Sequence, residues 1–203
     1  MPEHINDQSR VASSNEWLRN YYYLRFAVSA AWVVAAFTVA KSSVPVAAAM
    51  LIAYPAWDAL ANYVDARRTG GLGRNRSQLL NFAISILAAI AVAIALGHGM
   101  NAVLSVFGVW AVVAGVFQLL TAVRRWKTSG AQWAMILSGA QSALAGLFFV
   151  RMAGGTQVVG IVDVAPYAAF GAFYFLVSAL WLSIGDAFRK SRPAASQANS
   201  GKM

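Results

Sequence analysis

The chain has 203 residues, 59% of them apolar and 11% charged, with no cysteine and a formal net charge of +9. Soluble domains run at roughly 45–50% apolar and 25% charged residues, so a mean hydropathy of +0.57 excludes an ordinary water-facing surface. The absence of cysteine excludes disulfide scaffolds, thiolate metal sites, iron–sulfur clusters and thiol nucleophiles together.

The few charges divide the chain into apolar runs. Residues 77–123 hold no Asp, Glu, Lys or Arg, and the polar break Gly97-His98-Gly99-Met100-Asn101 splits that run near its middle. A helix rising about 1.5 Å per residue needs about 20 residues to cross about 30 Å of hydrocarbon. That ruler predicts six spans, at residues 22–40, 44–64, 78–96, 102–123, 131–150 and 164–185. The runs are twice the length of a barrel strand and lack its alternation. The expected fold class is therefore all-α and integral to the membrane, a six-helix transmembrane bundle. Residues 1–21 form a cytoplasmic or interfacial segment, 22–188 the membrane domain, and 189–203 a disordered cytoplasmic tail rich in Ala, Ser, Asn and Gly.

The leading segment carries Glu3, Asp7 and Glu16, where a cleaved signal peptide wants a short basic start, so it is kept in this reading. From Glu16 to Phe26 a short interfacial helix is expected to continue into span one, with Arg25 reaching the headgroups by its long stem. Span two differs from the rest in carrying Pro55 and Asp58. Small residues give the later spans faces for close packing, which must substitute for the hydrophobic drive that lipid removes. Span three offers Ser85, Ala89, Ala93 and Gly97; span four, Gly108 and Gly115; span five, Ala131, Ala134, Ser138, Gln141, Ser142 and Ala145, along with Gly139 and Gly146. Span six offers Gly171, Ser178 and Gly185 at seven-residue intervals.

Fourteen of the sixteen basic residues fall before span one or at its entry, after span six, or in the loops after spans two and four. The other loops hold only Lys41 and Arg151. Such a bias places both termini in the cytoplasm of a cell whose plasma membrane holds the protein. Trp17, Tyr21, Tyr22, Tyr23, Tyr63, Trp126 and Trp133 then sit at the cytoplasmic headgroup level. Charges spread over short loops do not build a nucleic-acid-binding face. Membrane lipids are the expected surroundings, with a homo-oligomer or a larger membrane complex as the protein partner. Spans two, four and six each end in a basic pair (Arg67-Arg68, Arg124-Arg125, Arg189-Lys190). Three parallel helical-hairpin repeats would produce that pattern, and so would positive-inside topology by itself.

The stretch from Val106 through Gly115 to Leu120, a basic turn, and then Gln132-Trp133 through Gly139 to Gly146 and Phe149 resembles the helical hairpin of HdeD-like membrane proteins. The resemblance rests on a glycine inside span four, a Trp opening span five, and two glycines a heptad apart within it. It implies a six-span bacterial inner-membrane protein associated with acid resistance and stress, with no catalytic residues to carry over. Tyr54-Pro55-Ala56-Trp57-Asp58 has no counterpart in that pattern.

Asp58 is the polar residue that packing does not absorb. An aspartate near the bilayer centre costs about 2.5–3.5 kcal/mol on insertion scales, so such residues face protein or water. Tyr54, Asp58, Asn62 and Asp65 share one helix face, beside a kink expected at Pro55. One reading is a protonatable or cation-binding site in a crevice open to the cytoplasm, with Gln118 or Gln141 as partners from other helices. The other is a structural one, in which Asp58 caps a broken turn or bonds a neighbouring helix. His98 is read as an outer-loop residue and Gly70-Gly71-Leu72-Gly73 as a flexible turn rather than a phosphate loop, since no strand precedes it. No catalytic constellation, metal-ligand spacing or cofactor motif is present in the sequence, so an enzyme is not expected.

Overall fold

The computed structural model describes residues 2–68, 70–125 and 132–191. The tail at 192–203, Trp126 and the side chains of Trp133, Arg124, Arg125, Arg189 and Lys190 lie outside the described residues. Six helices follow one another: α1 (Pro2–Thr38), α2 (Val44–Arg68), α3 (Arg76–Ala95), α4 (Met100–Arg125), α5 (Gln132–Ala153) and α6 (Ile161–Ser191). Each contains a stretch long and apolar enough to cross a membrane. Among the described residues there is no strand. The protein is an all-α, multi-pass membrane protein of six helices.

The helices overrun the predicted spans, and their ends have local causes. Between Pro2 and Pro45 there is no proline or glycine, so nothing interrupts α1, which begins well before the expected interfacial stretch. It ends in a short 3₁₀ turn at Ala40–Ser42. Pro45 then falls in the first turn of α2, where its missing N–H costs nothing. The α2 terminus is closed by Gly70 and Gly71, at φ 105° and 88°. Gly71 N–H donates to the Ala66 carbonyl at 2.7 Å, the reverse-turn bond of a glycine-capped helix end. At the start of α6 the Asp163 carboxylate accepts from Gly160 N–H at 2.7 Å, while Asp163 N–H donates to the Gly160 carbonyl. This reciprocal cap gives Asp163 a structural task.

The chain divides into two compact units, residues 31–169 and residues 1–30 with 170–203. In the first, α4 is the inner helix: 39% of its span is buried, against 17–22% for the others. Val103, Leu104, Phe107, Trp110 and Ala111 form its buried face at helical spacing. Around them lie Leu51 of α2, Val92 of α3, Phe149 of α5 and Val164 and Ala168 of α6. Ile86, Leu87, Ile90 and Ile94 of α3 and Leu144, Leu147 and Phe148 of α5 point outward, an apolar exterior that only lipid solvates without cost.

Two antiparallel seams dominate this unit, α4 with α5 and α2 with α3. Along the first, a methyl built on Gly108 would lie 2.8 Å from the Gly146 carbonyl oxygen, and one on Gly115 would lie 2.5 Å from that of Gly139. Reciprocally, methyls on Gly139 and Gly146 would meet the Gly115 and Gly108 carbonyls at 2.9 and 2.5 Å. The two pairs are seven residues apart on both helices, the step of a left-handed antiparallel coil. Backbone meets backbone at each pair.

The predicted small stripe of α3 is displaced. Ser85 and Ala89 are buried, but Ala93 and Gly97 are exposed, and Ala88, Val92 and Ala95 complete the buried face. At about 100° per residue a strict four-residue step drifts about 40° each time, carrying Ala93 off the face. On α6, Gly171 and Ser178 are half-buried, while Ala165, Ala168, Ala172 and Ala179 are the buried small residues. A methyl on Gly185 would meet nothing within 4 Å.

In the other unit, residues 15–30 of α1 run beside residues 170–188 of α6. Arg19 pairs with Asp186 at 3.1 Å, and the Tyr23 hydroxyl lies 3.0 Å from Ser183 Oγ. The Arg25 guanidinium sits 4.1 Å from the centre of the Phe175 ring, a cation–π contact. Asp186 is thus tied to α1.

Candidate functional site

The residues that carry the site arise from the proline-containing middle of α2. Pro55 is fully buried and Ala59 nearly so, which fixes the rotation of the helix and turns Tyr54, Asp58, Asn62 and Asp65 toward its neighbours. Because α2 extends to Arg68, its midpoint falls at Ala56. Asp58 therefore lies about 3 Å from that midpoint by helix rise.

The half-buried Asp58 carboxylate accepts hydrogen bonds from two helices. Ser85 Oγ of α3 donates to Asp58 Oδ2 at 2.8 Å, and Asn62 Nδ2 donates to the same oxygen at 3.0 Å. The Asn62 amide also reaches the Asp58 backbone carbonyl at 2.8 Å. Ser85, 1% exposed, in turn accepts from Trp110 Nε1 of α4 at 3.3 Å. The chain indole N–H to serine hydroxyl to carboxylate runs with every donor pointing at an acceptor, so each bond polarises the next. It ties three helices to one oxygen.

On one side of this chain stands a set of rings. Tyr54 lies 5.0 Å from Trp32, 6.4 Å from Phe107 and 6.0 Å from Trp110, the last edge-on. Trp110 continues edge-on to Tyr167, and Tyr167 to Phe149. The Tyr167 hydroxyl is 3.1 Å from Ser142 Oγ, which donates to the Ala111 carbonyl at 3.0 Å across the α4–α5 seam. On the other side, seven residues along α2, Gln78 Nε2 of α3 donates to Asp65 Oδ2 at 3.1 Å.

Of the residues singled out from sequence, Tyr54, Asp58 and Asn62 come together. Gln118 stands on the α4–α5 seam, where its Cβ is 3.2 Å from the place a methyl on Gly139 would occupy. Gln141 is half-buried on α5, next to Ser142. From other helices Asp58 is reached by Ser85 and, through it, by Trp110. In the sequence Ser85 belongs to the packing stripe of span three and Trp110 to the hairpin pattern. A signal for Ser85 was present, since it and Asp58 lie equally far from the glycine turn that joins α2 to α3. His98 is exposed in the turn before α4. Among the described residues no three His, Cys, Asp or Glu side chains gather where a metal ion would sit.

Residues 83–151 match a protein family described as a short repeat of unknown function (DUF308), the family that includes HdeD-like membrane proteins. The match covers about a third of the chain. It takes in most of α3, all of α4 and nearly all of α5, hence the glycine seam, Ser85 and Trp110, and leaves Asp58 outside. No curated protein and no solved structure gives a significant match.

Proposed function

We propose that this chain is a non-catalytic multi-pass protein of the bacterial inner membrane, with both termini in the cytoplasm, that acts in acid resistance or a related stress response. The observation that carries the reading is the coincidence of the matched repeat with the α4–α5 hairpin, whose Gly115, Gly139 and Gly146 are among the elements that resemble HdeD-like proteins. The clustering of basic residues at the predicted cytoplasmic loops supports the orientation. Asp58 supports a structural rather than catalytic assignment, because its carboxylate is engaged in joining helices. Deleting the gene and challenging cells with acid tests the proposal. Reduced survival, restored by the wild-type gene, is the expected result; wild-type survival overturns it.

A second reading is favoured by the same carboxylate: a small transporter or proton pathway in which Asp58 changes protonation state. In proteoliposomes Asp58→Asn would then abolish pH-driven flux while the protein still inserts and folds. Unchanged flux removes this reading. A homo-oligomer, or a place as accessory subunit in a larger membrane complex, is tested by native mass spectrometry of gently solubilised membranes. A monodisperse single chain there counts against both.

A further inference from the structure

The α2–α3 seam changes character at Asp58. From the loop end inward its cross-helix bonds are polar: Gln78 with Asp65, then Ser85 with Asp58. These pairs are seven residues apart on both helices, which spaces them by about 10.5 Å. The same register sets Asn81 of α3 opposite Asn62 of α2, midway between them, and both are half-buried. Past Asp58 the described positions of the seam are mainly rings and small aliphatic side chains. On α2 the next inward positions are Tyr54, with its ring among Trp32, Phe107 and Trp110, and Leu51, which is fully buried. On α3 they are Ala88, Ala89, Val92 and Ala95, all buried. The polar seam opens at one end, beside the exposed Arg67, Arg68, Arg74 and Arg76 of the α2–α3 loop, and is closed at the other by rings and methyl groups.

We propose that this seam is a blind proton track, entered at Asp65 and Gln78 and ending at Asp58, so that Asp58 equilibrates with the aqueous phase on the α2–α3 loop side and with no other. The inference takes from that second reading only that Asp58 changes protonation state, without the transmembrane flux, and it says from where and to what end. The step is a simple one. A proton taken from water at Asp65 passes inward by way of water held between the Asn62 and Asn81 amides and adds to the Asp58 carboxylate, which becomes a neutral acid; it leaves by the same way. The titratable groups on α2 are Asp65 and Asp58 on the route, and Tyr54 one turn past its end. From α3, Gln78, Asn81 and Ser85 face the seam, and from α4 Trp110, none of them titratable near neutrality. Adding the proton removes the charge assistance from the bonds of Ser85 and Asn62 to Asp58, so the tie among α2, α3 and α4 loosens. A track that stops at mid-bundle senses the pH of one compartment and carries no current.

The experiment uses the full chain in vesicles whose two sides are buffered independently. Because the protein has no cysteine, a single Gly73→Cys on the exposed loop, labelled by an impermeant maleimide, reports which way the protein faces. Dicyclohexylcarbodiimide crosses the bilayer and reacts with a carboxylic acid held in apolar surroundings: the acid adds across the carbodiimide and rearranges to a stable N-acylurea, read by mass spectrometry on the peptide containing Asp58. Labelling of Asp58 should rise on acidifying the loop side and stay constant on acidifying the other. Asp65→Asn combined with Gln78→Leu should slow the response several-fold and leave the final extent unchanged. Vesicles loaded with a pH dye should show no steady Asp58-dependent proton flux. Labelling that follows the opposite compartment, or both alike, overturns the one-sided track, and steady flux overturns the blind end in favour of a pathway. Asp58 that takes no label at any pH, in protein with native tryptophan fluorescence, overturns the underlying reading itself.

Discussion

Replacing Gly115 by alanine puts one methyl group where two backbones already touch. That methyl would lie 2.5 Å from the Gly139 carbonyl oxygen and 2.6 Å from Ala143 N, whereas ordinary contact begins near 3.4 Å. The seam must therefore open locally by 3.4 − 2.5 = 0.9 Å. A gap of about 0.5–1 Å forfeits a quarter to a half of the dispersion energy of the atoms that line it. The bond from Ser142 Oγ to the Ala111 carbonyl, 3.0 Å long and crossing the same seam, would be stretched out of range. Interhelical bonds of this kind contribute about 0.6 kcal/mol on average in membranes, and overpacking a tight core costs about 1–3 kcal/mol. The expected loss for Gly115→Ala is thus about 2–3 kcal/mol. Gly185→Ala is the control, because its methyl meets nothing within 4 Å and gains helix propensity of about 0.5–1 kcal/mol. Unfolding in mixed micelles of dodecyl maltoside with increasing dodecyl sulfate, followed by tryptophan fluorescence and circular dichroism, measures both. Equal effects of the two substitutions, or a Gly115→Ala protein as stable as wild type, would refute the close-contact account of the seam.

Three further outcomes follow from the same geometry. Ser85→Ala removes a donor to Asp58 and the acceptor for Trp110 Nε1; a loss of about 1–2 kcal/mol and a changed Trp110 emission are expected, and an unaltered spectrum would contradict the bond. Ser85→Thr, which keeps the hydroxyl, should restore the spectrum. A double-mutant cycle on Arg19→Gln and Asp186→Asn should give a coupling of about 0.2–1 kcal/mol that shrinks with added salt, since both side chains are partly solvated; no coupling at low salt would mean that the pair does not form. Asp163→Ala removes the reciprocal cap of α6 and should cost about 0.5–2 kcal/mol, with faster amide hydrogen exchange confined to the first turn of that helix; unchanged exchange there would show that the cap contributes nothing.

The lipid-facing character and the number of helices follow from composition and from the spacing of charges, because the bilayer sets a length and forbids unpaired backbone groups within it. All six spans could thus be read before any contact was known. Helix ends were less legible: α1 runs on because nothing in its sequence stops it, and α6 starts where a side chain three residues inside reaches back to cap it. The glycines of α4 and α5 announced a close approach, since a heptad step between small residues is a local pattern. Which glycine faces which required the register of the hairpin. The site divides along the same line. Tyr54, Asp58 and Asn62 share a helix face by arithmetic alone, whereas Ser85 and Trp110 reach Asp58 only because α3 and α4 pack beside α2 at one particular rotation. A sequence states the spacing of groups along a chain; hydrogen bonds between helices depend on how the helices turn toward one another, and that is decided by the packing of all of them together.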